Sequence, residues 1–151
     1  MAESPLQPVL VSACLLGQAC RYNGGDCLRP SLVEQLAAEG RRPIPFCPEE
    51  AGGLGTPRPA AWIERGGAQE VLEGRSAVVT HAGDECTAAF RSGADQALQV
   101  CRDESIEHAY LKEGSPSCGV AHTRVDGEKA AGPGVTAARL AGAGIQVHGI
   151  D

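Results

Sequence analysis

The chain has 151 residues, 42% hydrophobic and 21% charged, the size and balance of one globular domain, here read as spanning residues 1–151 with 1–8 flexible. A formal net charge of −6, with no basic run denser than Arg41-Arg42, argues against binding nucleic acid through phosphate neutralisation. No stretch approaches the roughly 18 apolar residues of a membrane span, and the first eight residues lack the pattern of a secretory signal, so a cytoplasmic location is expected. Seven cysteines, an odd number in a reducing compartment, point away from a disulfide framework and leave metal ligation, redox chemistry or plain burial.

In chain order, Val9 to Leu16 reads as a buried strand ended by Gly17. A loop follows, with turn chemistry at Asn23-Gly24-Gly25. Ser31 and Glu34 have the spacing of a capping box, opening a helix with Leu32, Val33, Leu36 and Ala37 on one face and Gly40 at its end. Pro43 to Cys47 is a second strand, and Pro48 to Pro59 a long Gly/Pro loop of the kind that usually carries function. Glu70 to Leu72 and Ala77 to Thr80 read as a hairpin around Glu73-Gly74-Arg75. The strongest helix runs from Asp84 to Asp103, with Cys86, Ala89, Phe90, Gly93, Ala94, Ala97, Leu98 and Cys101 on one stripe. A strand at His108 to Leu111, loops with a turn at Asp126-Gly127, a helix at Val135 to Ala141 and a strand at Ile145 to Ile150 complete the chain.

Strands alternating with helices predict an α/β fold, a mainly parallel sheet flanked by helices in a Rossmann-like three-layer arrangement. Open sheets of this kind bind ligands beyond the carboxyl ends of their strands. Cys14, Cys47 and Cys118 each follow a strand-like segment and so fall at that edge. Cys86 and Cys101 read as small core hydrophobes on the helix stripe. Cys20 and Cys27, in a polar loop, fit no compact metal motif and are either spare ligands or incidental thiols. Spacing alone leaves a shared metal site and separate burial equally open. If shared, three thiolates suit a catalytic zinc with an open position or an iron–sulfur cluster with one iron lacking a protein ligand.

Four groups of residues carry a family resemblance. They are Ser12-Ala13-Cys14-Leu15-Leu16-Gly17; Arg21-Tyr22-Asn23-Gly24; Cys47-Pro48-Glu49 with Gly52-Gly53-Leu54 and Pro57-Arg58; and Ser115-Pro116-Ser117-Cys118-Gly119. Together, and in this order, they resemble the thiouracil desulfidase (TudS)-like family of short bacterial iron–sulfur proteins. The resemblance implies a [4Fe-4S] cluster held by Cys14, Cys47 and Cys118. It implies a small thiolated nucleobase such as 2-thiouracil as substrate, whose sulfur is taken by the open iron and replaced by water without net redox change. The cysteines at positions 20 and 27 depart from the usual pattern and leave a fourth ligand open.

Within that reading, Glu49 is the expected base for water, with Glu50 a weaker substitute. Ser115 is expected to contact substrate or relay a proton, and Ser117 to bind substrate. Arg21, Tyr22 and Asn23 are expected to close over the base, Tyr22 by stacking. Each has a plainer alternative: Glu49 a solvated loop carboxylate, the serines and Asn23 turn formers. Arg58 either neutralises cluster charge or pairs at the surface, and His122 is either a zinc ligand or a structural histidine. Two further functional readings remain: a non-catalytic iron–sulfur or zinc module for redox or sulfur handling, and a cluster-free cysteine nucleophile.

Overall fold

Two four-stranded sheets organise the computed structural model, which describes residues 6–151. Sheet A contains β1 (Gln7–Ser12), β2 (Arg41–Phe46), β5 (His108–Lys112) and β8 (Gln146–Ile150), in the order β2-β1-β5-β8. Every neighbouring pair in it is parallel. Sheet B contains β3 (Ala61–Ile63), β4 (Val78–Thr80), β6 (His122–Val125) and β7 (Glu128–Ala131), in the order β4-β3-β6-β7. Its β3–β4 and β6–β7 pairs are antiparallel, and β3–β6 is parallel.

The helices are α1 (Pro30–Ala38), α2 (Pro48–Ala51), α3 (Ala68–Leu72), α4 (Thr87–Asp103) and α5 (Val135–Gly142). Side chains alternate across β1, as a strand buried on both faces requires. Val9 and Val11 pack with Tyr110 against Leu32 and Leu36 of α1. Leu10 packs with Ala109 and Leu111 against Ala97, Leu98 and Cys101 of α4 and Ala137 and Leu140 of α5. The expected α/β three-layer arrangement is therefore present, with α1 on one face and α4 and α5 on the other. A third cluster, Ile63, Val71, Val78, Phe90, Ala94 and Val135 among its members, joins sheet B to α3, α4 and α5.

Several local expectations change. The first strand begins at Gln7 and stops at Ser12; Ala13–Leu16 is a 3-10 turn, closed by Gly17 at φ +95°. The flexibility expected for residues 1–8 lies outside the described residues for 1–5, while Gln7 and Pro8 are in β1. Helix α1 starts at Pro30, whose ring already holds the φ of a first helical residue, so Ser31 lies inside the helix and caps nothing. Only Leu32 and Leu36 are buried on it; Val33 and Ala37 are exposed.

The long loop after Cys47 opens with a helical turn, α2. The expected hairpin over 70–80 is not formed: Glu70 to Leu72 lie in α3, and β4 pairs instead with β3. Five helical residues are too few to display a 3.6-residue period. Cys86 is the half-buried residue just before α4 and packs against the same cluster as Phe90 and Ala94; the stripe lies where expected. The turn at Asp126-Gly127, with φ of +49° and +78°, joins β6 to β7, the positive-φ pair a two-residue hairpin needs.

Candidate active site

Because β1, β2 and β5 are parallel neighbours, their carboxyl ends lie along one edge of sheet A. Cys14 sits in the turn just after β1, Cys47 directly after β2, and Cys118 in the loop that follows β5. All three line one cavity of about 450 Å³. Sheet B forms its far wall through Ala61, Trp62, His122 and Arg124.

Each cysteine is held by a different local device. The Cys14 carbonyl accepts from the backbone N–H of Gly17 and of Cys27, at 3.2 and 2.9 Å, so the following loop folds back on the turn. Cys47 is followed by α2, which packs against α4 at backbone contact. A Cβ on Gly93 would stand 2.0 Å from the Pro48 carbonyl oxygen, and one on Gly52 would stand 2.0 Å from that of Ala89. Only glycine permits this approach, and the approach places α2, with Glu49, beside Cys47.

The Cys118 loop is fixed from two sides. The backbone N–H groups of Val135, Thr136 and Ala137, at the start of α5, donate to the carbonyls of Pro116 and Ser117 at 2.8 to 3.1 Å. On the other side the Glu113 carboxylate accepts from the N–H groups of Val120 and Ala121 at 2.7 and 3.0 Å. It sits where a Cβ on Gly149 would be, 2.0 Å from that position.

A chain of polar groups connects Arg58 to this loop. The Arg58 Nη2 stands 3.3 Å from Oε2 of Glu49. The Ser117 hydroxyl donates to the same Oε2 at 3.4 Å and lies 2.9 Å from the Ser115 hydroxyl. The Ser115 oxygen also accepts the N–H of Ser117 and of Cys118, both at 3.1 Å. Glu49 is thus bonded into the cavity wall, and the plain solvated-loop alternative for it does not describe its surroundings.

Burial and close neighbours push three of the cavity's thiols above their ordinary value. The Cys118 thiol is pushed up to about 12, first by burial and then by the nearby Glu49 charge, against hydrogen bonds from Ser12 and Ser117. Cys47 is pushed up by a hydrogen bond with Cys20 and by burial. Cys20 rises to about 11, first through its bond to Cys14. Buried thiolates without a countercharge are unfavourable. A bound cation reverses this by stabilising the thiolate, so metal binding here releases protons. Three cysteine sulfurs lining one cavity, soft donors when deprotonated, fit an iron–sulfur centre.

The cavity also receives Glu49, Ser115, Arg21 and Tyr22. Ser117 and Asn23 do not line it. Ser117 is fully buried behind it, bonded to Glu49 and 3.7 Å from the Cys118 sulfur. Asn23 accepts the N–H of Gly25 at 2.9 Å in an exposed turn, its plainer alternative. Cys20 lines the cavity and Cys27 is buried beneath it in the core with Leu15 and Leu32. Arg58, weighed between two roles, is a buried member of the wall. Lys112, Trp62 and Arg124 also line it without having been expected. Lys112 closes β5 and was findable by the strand-end rule that picked out the cysteines. Trp62 and Arg124 belong to sheet B, which no sequence period announced.

Comparison with known proteins gives the family. The family described as 2-thiouracil desulfurase matches residues 9–150. A Bacillus subtilis (strain 168) protein, named only as uncharacterized protein YbbK, is 38% identical over 142 residues, 92% of this chain and 93% of that one. A solved structure named as the [4Fe-4S]-dependent thiouracil desulfidase TudS is 46% identical, with a TM-score of 0.79. The match covers 95% of this chain and 90% of that one.

Proposed function

Since this chain belongs to the 2-thiouracil desulfurase family, we propose that it removes sulfur from a thiolated nucleobase such as 2-thiouracil with a [4Fe-4S] cluster held by Cys14, Cys47 and Cys118. The carrying observation is that these three cysteines, distant in sequence, line one cavity together with Glu49 and Ser115. A cluster so held would supply an iron with no protein ligand, a Lewis acid for the substrate's sulfur. The overall change is hydrolytic: a thiocarbonyl and water give a carbonyl and hydrogen sulfide, with no electron acceptor or donor required.

The residues divide the remaining work. Glu49, beside Cys47, takes the proton from the attacking water. Its Oε2 is held by Arg58 and Ser117, which leaves Oε1 for the proton. Ser115 exchanges a hydrogen bond with Ser117 and faces the cavity, so it can pass a proton toward the departing sulfur or hold the base. Ser117 acts through Glu49 and the Cys118 sulfur. Arg21 and Tyr22 form a rim, the Arg21 guanidinium 5.9 Å from the Tyr22 ring, and Tyr22 is exposed enough to stack on an entering base.

A second reading is a closed four-cysteine centre without catalysis. It draws on the contacts of Cys20 with Cys14 and Cys47. Turnover of 2-thiouracil in ¹⁸O-water by the anaerobically reconstituted protein separates the two. Hydrolysis places one ¹⁸O in each uracil formed. Uracil without label contradicts the hydrolytic step, and no uracil contradicts the function.

A further inference from the structure

The guanidinium of Arg58 has five N–H donors, three of which make hydrogen bonds within the protein. Nη1 donates to the Gly55 carbonyl at 3.1 Å and to Thr56 Oγ1 at 2.9 Å. Nη2 donates to the Cys20 carbonyl at 2.9 Å and stands 3.3 Å from Glu49 Oε2. The fifth donor, Nε–H, is buried and has no partner. The side chain is only 6% exposed, so water does not freely reach it. A buried charged group with an unused donor is unfavourable unless something accepts from it. Three hydrogen-bond acceptors and the Glu49 ion pair also hold the fork still, so the Nε–H donor has a fixed aim and a ligand spends no ordering entropy on it.

In a guanidinium, Nε–H and one Nη2 N–H leave from the same edge. Whatever accepts from Nε therefore lies on the Nη2 side of the fork, whose partners are the Cys20 carbonyl and Glu49. The surrounding wall, with Phe46, Pro48 and Trp62, is apolar, and such pockets orient small ligands through a few placed polar groups. We propose, resting on the desulfuration reading, that Nε–H of Arg58 donates to an exocyclic oxygen of the bound pyrimidine. Arg58 is then a further substrate-binding residue, and it sets the base's orientation while holding Glu49 next to it. The same residue fixes the rim: its backbone N–H donates to the Tyr22 carbonyl at 2.7 Å.

The test is calorimetric titration of the anaerobically reconstituted protein with uracil, which has no sulfur and so binds independently of any sulfur–iron contact. Arg58→Lys should raise the dissociation constant at least about tenfold, whereas Arg75→Gln, a surface change, leaves it unaltered. If Arg58→Lys fails to fold, the deletion is made on the ligand. Wild-type protein should bind either pyrimidin-2-one or pyrimidin-4-one at least about tenfold more weakly than uracil. Equal affinity for all three overturns the proposal, as does an absence of uracil binding. A loss of iron in Arg58→Lys with unchanged uracil affinity also overturns it, because the donor then serves the metal centre. Failure to release sulfide from 2-thiouracil, with the uracil results as expected, overturns the desulfuration reading and leaves the Arg58 assignment standing.

Discussion

What surrounds each sulfur divides the seven cysteines. Cys14, Cys47 and Cys118 share a cavity with acid, hydroxyl and guanidinium groups, whereas Cys101 touches only core side chains and is pushed up to about 11 by burial alone. Serine at position 14, 47 or 118 should each abolish iron binding on anaerobic reconstitution, read as iron per chain. Serine at 20, 86 or 101 should leave it, although Cys101→Ser places a hydroxyl in the core at a cost of about 1–3 kcal/mol. Loss of iron in Cys20→Ser alone would select the closed four-cysteine centre. That Cys14, Cys47 and Cys118 meet at one edge of sheet A was legible, because each follows a strand. That Cys20 joins them was not, since its position depends on the Arg58 bond to its carbonyl, 38 residues away in sequence.

Among elements, the contact of α2 with α4 decides where Glu49 stands. Gly93 was visible on the helical stripe as one more small residue, but its role as the seat of the Pro48 carbonyl was not. Gly93→Ala should destabilise the fold by about 1–3 kcal/mol, the usual range for overpacking, seen as a lower denaturation midpoint. A second element pair carries a pH dependence. Across β5 and β8, His108 Nδ1 lies 3.0 Å from His148 Nε2, and the His148 ring stacks on Tyr110 at 4.7 Å. Burial, then the neighbouring His108 and Arg41, lower His148 below its ordinary 6.5, while Glu39 acts in the opposite sense. The unfolded chain therefore takes up this proton at higher pH than the folded one. Stability is fully present above about pH 6.5 and falls as pH drops from there through the folded value. Denaturant midpoints between pH 8 and pH 5 should show the decline, and His148→Asn should lessen it.

For the whole molecule, the alternation of strands and helices made sheet A readable, and with it the edge on which the cysteines meet. Sheet B escaped because its strands are three or four residues long and interrupted by a five-residue helix, below the length at which either period shows. That sheet supplies Trp62, His122 and Arg124 to the far wall, of which the sequence singled out only His122. The cysteine edge and the second sheet together line the cavity of about 450 Å³. No helix among the described residues is long and apolar enough to cross a membrane. The most direct test is sulfide released from 2-thiouracil by the anaerobically reconstituted protein. The expected result is one sulfide for each uracil formed, over many turnovers per chain and with no added reductant or oxidant. Protein loaded with its cluster that releases no sulfide from 2-thiouracil or any other thiolated base would contradict the account.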